Sequence, residues 1–187
     1  MVKIGNTPAV GSGTPRANII IVRSYPEVSE AAGANGSRGT QEQDKFLKKI
    51  LNKTGLSLTG NTYITYLVKC TPEEAIRESG SPNPKPVKLH KKHVNKCIHF
   101  LTQEISIITP HIIVSLGLDV SNIILKKFFS IKKEYKDIKK IHMKIFENPS
   151  FKLVPFFDPR DVLLTGSISE KKYIRDFESL SEFLKIV

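Results

Sequence analysis

Polar and charged residues collect where three apolar runs of this chain end. Ile19-Ile20-Ile21-Val22 leads into Arg23-Ser24-Tyr25-Pro26, and Tyr63-Ile64-Thr65-Tyr66-Leu67-Val68 leads into Lys69-Cys70. Val154-Pro155-Phe156-Phe157 stops at Asp158-Pro159. If these runs are strands of one sheet, separated by helical segments, their terminal residues come together at one sheet edge. There Asp158 is a carboxylate that, while ionised, accepts hydrogen bonds and donates none. The other chemistry is electrostatic. Lys85, Lys88, Lys91, Lys92 and Lys96 fall in one stretch with His90, His93 and His99, and Lys126, Lys127, Lys132, Lys133, Lys136, Lys139 and Lys140 fall in another. Such clusters contact phosphates, or else solubilise exposed faces.

The elements that must position these groups follow from pattern. Asn18 to Val22 is a β-branched run of the kind buried on both faces of a parallel sheet. Arg23 to Gly39 is rich in Gly, Ser and Ala and reads as a long loop. A helix from Thr40 carries Phe46, Leu47, Ile50 and Leu51 on one face and ends at Gly55. Tyr63 to Val68 is the second strand. Thr71 to Pro86 is polar and proline-bearing, a surface excursion. Val94, Ile98, Leu101, Ile105 and Ile108 give a long amphipathic helix stopped by Pro110. His111 to Leu116 is a strand, and Asp119 can cap the helix bearing Val120, Ile123, Ile124 and Phe128. Met143 to Phe146 and Lys152 to Phe157 are short strands. Glu170 to Ile186 is a closing helix with Tyr173, Ile174, Phe177, Leu180 and Leu184 inward.

Alternating strands and helices predict an α/β fold, three layers with a central, mainly parallel sheet. Ligands of such sheets bind beyond the carboxyl ends of the strands. Those ends carry Arg23-Ser24-Tyr25, Tyr66, Gly117 and Asp158.

The chain of 187 residues suits one domain, with residues 1–17 as a flexible lead and 18–187 as the folded unit. The lead has neither a secretory nor a transit pattern, and no run approaches the roughly 18 apolar residues of a membrane span. Apolar and charged fractions of 40% and 25% are those of a soluble protein. Two cysteines make no disulfide framework, so an intracellular setting is expected, cytoplasm or nucleus. A formal charge of +11 makes nucleic acid or an anionic surface the natural partner. A zinc site at Cys97 with His90, His93 and His99 is set aside, because the spacing is loose and no second Cys pair exists.

Four stretches, in order, resemble the uracil-DNA glycosylase superfamily, and most closely its iron–sulfur branch. Ala17 to Pro26 resembles the strand followed by Gly-Glu-Ala-Pro-Gly. Tyr63 to Cys70 resembles Tyr-Ile-Thr-Asn-x-x-Lys-Cys. Cys97 with Pro110 to Gly117 resembles the Cys…Pro-x-x-Ile-x-x-Leu-Gly segment. Val154 to Leu164 resembles the strand ending in His-Pro-Ser, followed by the loop that wedges into DNA. The resemblance implies hydrolysis of a base–sugar bond after the nucleotide is flipped into a pocket. It also places the ends of the Ile19 and Phe156 strands adjacent.

Carried over position by position, Ser24 stands at the first-motif Glu, Tyr25 at the Ala, Tyr66 at the base-reading Asn and Asp158 at the catalytic His. Pro26 is kept, while Arg23 and Glu27 replace the flanking glycines. An ionised Asp would repel the charge that develops on a leaving base, and Tyr lacks the paired donor and acceptor of an amide. Uracil excision is therefore expected to be lost or redirected. Tyr25 and Tyr66 fill an emptied pocket, or else Asp158, Glu27 or Glu30 serves as the carboxylate of a rearranged site. Asp158 alternatively caps a turn or pairs with Arg23. A four-iron cluster needs four thiolates; Cys70 and Cys97 match only one pair, so no cluster and no other cofactor or metal is expected.

Three functions follow. The first is a monomeric DNA-binding protein on this fold. Lys69, Lys85, Lys88, Lys91 and Lys92 would meet phosphates, and Arg160, Val162 and Leu163 would lie at the wedge. The second is a glycosylase for another base. The third is a non-catalytic accessory that uses the old DNA face for a protein partner, with no membrane involved.

Overall fold

Ile19, Ile20, Ile21 and Val22 are all fully buried, because successive strand side chains point to opposite faces and both faces of this sheet are covered. A computed structural model describes residues 8–26, 38–78 and 87–184. Among these, six strands form one sheet: β1 (Ser12–Gly13), β2 (Ile19–Arg23), β3 (Thr62–Tyr66), β4 (Ile112–Leu116), β5 (Phe146–Glu147) and β6 (Lys152–Phe156). Their order is β1-β3-β2-β4-β6-β5. The central β3, β2, β4 and β6 run parallel, and β1 and β5 are antiparallel edges.

The helices are α1 (Arg38–Thr54), α2 (Glu73–Glu78), α3 (Lys91–Ile108), α4 (Leu118–Phe128), α5 (Pro159–Thr165) and α6 (Glu170–Leu184), with a 3-10 turn at Ile138–Lys140. Ile19, Ile21, Val114 and Phe156 pack with α1 and α6 on one face, through Ile50, Tyr173 and Phe177. Ile20, Val22, Ile113 and Leu153 pack with α3 and α4 on the other, through Leu101, Ile105 and Ile124. The three-layer α/β architecture read from the sequence is therefore present. On α3 the buried Val94, Leu101, Ile105 and Ile108 hold the expected face. That helix stops where Thr109 turns left-handed (φ 48°) ahead of Pro110.

Several local expectations are corrected. Ser12–Gly13, in the stretch read as a flexible lead, adds an edge strand to β3. Gly13 makes that approach possible: its φ is +131°, and a Cβ there would stand 2.3 Å from the Thr62 carbonyl oxygen. A two-residue strand has no alternation to read. The strand expected from Met143 lies at Phe146–Glu147 instead, because Met143 turns at φ 62° and donates its N–H to Pro155 O at 2.9 Å. Short helix α2 lies within the segment read as a surface excursion, α5 lies where the resemblance implied a loop, and Asp119 sits in the first turn of α4 with Gly117 at the cap. The strands β2 and β6 are not neighbours; β4 lies between them, since motif order along a chain does not set strand order.

Lys69 is buried, not exposed for phosphate contact. Its Nζ lies 2.7 Å from Glu104 Oε1 of α3, and Thr65 Oγ1 donates to Glu104 Oε2 at 2.8 Å. Burial, then the Glu104 charge, pushes the Tyr63 hydroxyl up to about 12. This ionic knot ties β3 to the α3 layer. Removing one partner of such a pair leaves a buried charge, at a cost of about 3–5 kcal/mol. Glu104→Ala should therefore lower the midpoint of urea unfolding strongly, and adding Lys69→Met should recover most of the loss.

Candidate functional site

The carboxyl ends of the parallel strands leave a pocket of about 210 Å³, below the roughly 300 Å³ at which small-molecule sites usually begin. Ser24 and Tyr25 line it from β2, Leu116 and Gly117 from β4, Asp158, Arg160 and Asp161 from the β6–α5 junction, and Asp119 from α4. Gly117 (φ +93°) makes the turn from β4 into α4, and a side chain there would face Asp158 Oδ2. Val87 and Leu89 close the wall just before α3.

Sequence order explains the junction locally. Asp-Pro-Arg-Asp is a helix start: Asp158 is extended (φ −68°, ψ 136°), its Oδ1 accepts the Arg160 N–H at 2.9 Å, and Pro159 opens the first turn. Asp158 thus caps α5, one of the roles left open above. Arg160 reaches over the end of β4 and donates from Nη1 to the Tyr25 hydroxyl at 3.3 Å. Arg23 pairs not with Asp158 but with Asp44 of α1, at 2.7 Å, and its guanidinium lies 5.7 Å from the Tyr66 ring centre. Tyr25, Tyr66 and Arg23 are all buried. Thr71 Oγ1 donates to the carbonyl of the buried Pro26 at 2.8 Å.

The structure brings Ser24, Tyr25, Asp158 and Arg160 together in one pocket and leaves Tyr66 outside its lining. Lys88, Lys91 and Lys92 are exposed beside the Val87–Leu89 wall. Lys85, Glu27 and Glu30 lie outside the described residues. Val162 is buried in the core and Leu163 packs partly against it, so neither is a free wedge. Leu164, 55% exposed, is the apolar side chain that α5 presents outward. Helical phase decides this, and the family motif alone could not.

Asp161 was missed. It stands three residues after Asp158, the spacing of an acidic group in a helix's first turn, and that was the available signal. Burial, then the neighbouring Asp158 charge, raises its carboxyl from 3.8 to about 6. Burial and then the Asp158 and Asp161 charges likewise push the Tyr173 hydroxyl up; it donates to Phe157 O at 2.7 Å beneath the pocket. The His142 ring, 2.8 Å from Asp176, is held below its ordinary range by burial.

Cys70 and Cys97 are both partly exposed. Burial and then the Cys97 thiol raise the Cys70 pKa. The 187 residues supply only these two thiols, half of what a four-iron cluster requires. Among the described residues, no group of three or more His, Cys, Asp or Glu is arranged to hold a metal.

A mixed sheet whose four central strands run parallel under helices on both faces, with a small pocket at the carboxyl ends of those strands, defines a three-layer α/β protein. The chain belongs to the uracil DNA glycosylase superfamily, whose sequence model matches residues 10–179. It is 26% identical over 176 residues to a type-4 uracil-DNA glycosylase of Archaeoglobus fulgidus, covering 92% of this chain and 79% of that protein. Type-4 uracil-DNA glycosylases of Pyrobaculum aerophilum and Saccharolobus solfataricus are each 30% identical, over 108 and 118 residues. Those alignments cover 58% and 63% of this chain, and 48% of each relative.

The raised Asp161 carboxyl has a stability consequence. Its folded pKa lies above the unfolded value, so its contribution is full below 3.8 and is lost as pH rises through about 6. Asp161→Asn removes that loss. The melting temperature of the variant should exceed wild type by about 2–4 °C at neutral pH, and the difference should vanish in acid, below the unfolded pKa.

Proposed function

We propose that this protein is a DNA-binding member of its superfamily whose uracil pocket has been remodelled and whose uracil excision has been lost. One observation carries the reading. At the motif position of the histidine donor stands Asp158, whose Oδ1 is already engaged as the cap of α5. Ionised, it offers negative charge where a leaving base would develop its own. Tyr66, at the position of the base-reading amide, is buried under Arg23 and does not line the pocket. DNA as partner is supported by the names of the relatives and by the net charge of +11. The exposed Lys88, Lys91 and Lys92 beside the pocket wall supply the phosphate contacts. An intracellular location belongs to the same reading. Among the described residues no helix is long and apolar enough to cross a membrane.

Two measurements test this. Single-turnover assays on single-stranded DNA should show no uracil release from wild type, and uracil release abolished by Asp158→Ala would overturn the reading. Lys88→Glu, Lys91→Glu and Lys92→Glu together should weaken DNA binding at least about tenfold and flatten its salt dependence, each lost phosphate contact removing about 0.9 from the logarithmic slope on duplex DNA. Unchanged DNA affinity would remove this surface.

A second reading is favoured by Asp161. A carboxyl raised to about 6 beside Asp158 is a proton donor at near-neutral pH, the pattern of a general acid paired with a carboxylate. A glycosylase of this kind would act on a base that leaves more readily once protonated. A panel of damaged bases should then show one released product whose rate falls above pH about 6 and is lost in Asp161→Asn.

A further inference from the structure

The segment between α4 and β5 is fastened at regular intervals. Asn122 of α4 donates from Nδ2 to the Tyr135 carbonyl at 2.9 Å and accepts the Tyr135 N–H at 3.0 Å. Asp137 accepts the Lys139 N–H at 2.9 Å and caps the 3-10 turn. Ile138 and Ile141 are buried in the core, and the Tyr135 ring meets Phe146 of β5 edge-on, centre to centre at 6.2 Å. Between these anchors the lysines are left outside. Lys133, Lys136, Lys139, Lys140 and Lys144 are all exposed and, with Tyr135 and Glu134, line a cleft of about 570 Å³. Lys133 Nζ stands 5.3 Å from the Tyr135 ring centre.

Solubilising lysines on convex surfaces spread apart or pair with carboxylates. Here they converge on one concave wall, and among the described residues none of the five has a carboxylate within ion-pairing distance. Like charges gathered in a cleft repel one another and focus a positive potential that favours an anion. A row of ammonium groups along an anchored loop matches repeated single charges better than one compact anion, and the half-exposed Tyr135 ring offers a stacking face for a base. We propose that this cleft is a second binding site for nucleic acid, gripping the phosphodiester backbone away from the strand-end pocket. The inference rests on the DNA partner proposed above. Its position is suited to one continuous ligand: Leu118 and Asp119 of α4 line the pocket, and Asn122, which anchors the cleft, follows about one turn along the same helix.

The test compares wild type with two variants in binding a single-stranded oligonucleotide of about 40 nucleotides between about 50 and 200 mM salt. The cleft variant carries Lys136→Gln, Lys139→Gln, Lys140→Gln and Lys144→Gln, and the pocket-side variant carries Lys88→Gln, Lys91→Gln and Lys92→Gln. The cleft variant should lose at least about tenfold in affinity, and its logarithmic salt slope should fall by about 2–3, at about 0.7 per phosphate on a single strand. Wild-type affinity and slope in the cleft variant, with loss only in the pocket-side variant, would overturn the cleft and leave the pocket-side reading intact. Loss only in the cleft variant would do the reverse, and no binding by wild type would overturn both. Lysine acetylation of the wild-type protein gives a readout independent of variant folding. DNA should protect Lys136, Lys139, Lys140 and Lys144, and unchanged labelling of all four would also overturn the site.

Discussion

Four parallel strands covered by helices on both faces impose the constraint from which the rest follows. A residue such as Ile20 or Ile21 has no solvent face, so polar groups on the central strands must either be satisfied internally or stand at the strand ends. Ser115 takes the first course, its hydroxyl meeting Ser121 Oγ at 2.9 Å. Lys69 does so through Glu104. Arg23, Ser24 and Asp158 take the second, and they reach the same end of the sheet because the strands that carry them run parallel. The pocket is thus a consequence of the topology before any chemistry is assigned to it.

At these strand ends, three residues at superfamily motif positions have structural partners. Asp158 caps α5, the Tyr25 hydroxyl receives Arg160, and Arg23 is drawn sideways to Asp44 and lies over Tyr66. These contacts are mutually supportive. Tyr66 is covered by the guanidinium that Asp44 holds, and Arg160 reaches Tyr25 from the turn that Asp158 caps. Replacing one of these side chains would therefore leave its neighbour without a contact, so the effects of such changes would not simply add. Asp161 is a half-buried carboxyl whose proton is held by burial and by the Asp158 charge, against the opposing pull of Arg160.

The two lysine-rich faces differ in how they are built. Lys88, Lys91 and Lys92 stand at the start of α3 beside the pocket wall, on a helix whose buried stripe fixes which residues face outward. The lysines from Lys133 to Lys144 depend on a loop held by Asn122, Asp137, Ile138 and Ile141, so their convergence is a property of tertiary anchoring.

Sequence by itself determined the α/β class, the central strands to within about a residue or two, the long helices and the superfamily, because period-two β-branched runs and helical apolar stripes are local signals of burial. It also determined that only two thiols are present. Tertiary structure alone decided that β4 separates β2 from β6, because strand order depends on which faces bury together and leaves no mark on a strand's own pattern. It decided that Lys69 points inward to Glu104, 35 residues away, where composition counts every lysine as surface. It decided that Val162 faces the core while Leu164 faces out, since two residues along a helix lie about 200° apart around its axis. And it made a proton-holding group of Asp161, because a carboxyl's affinity for its proton is set by the desolvation and charge that folding brings around it.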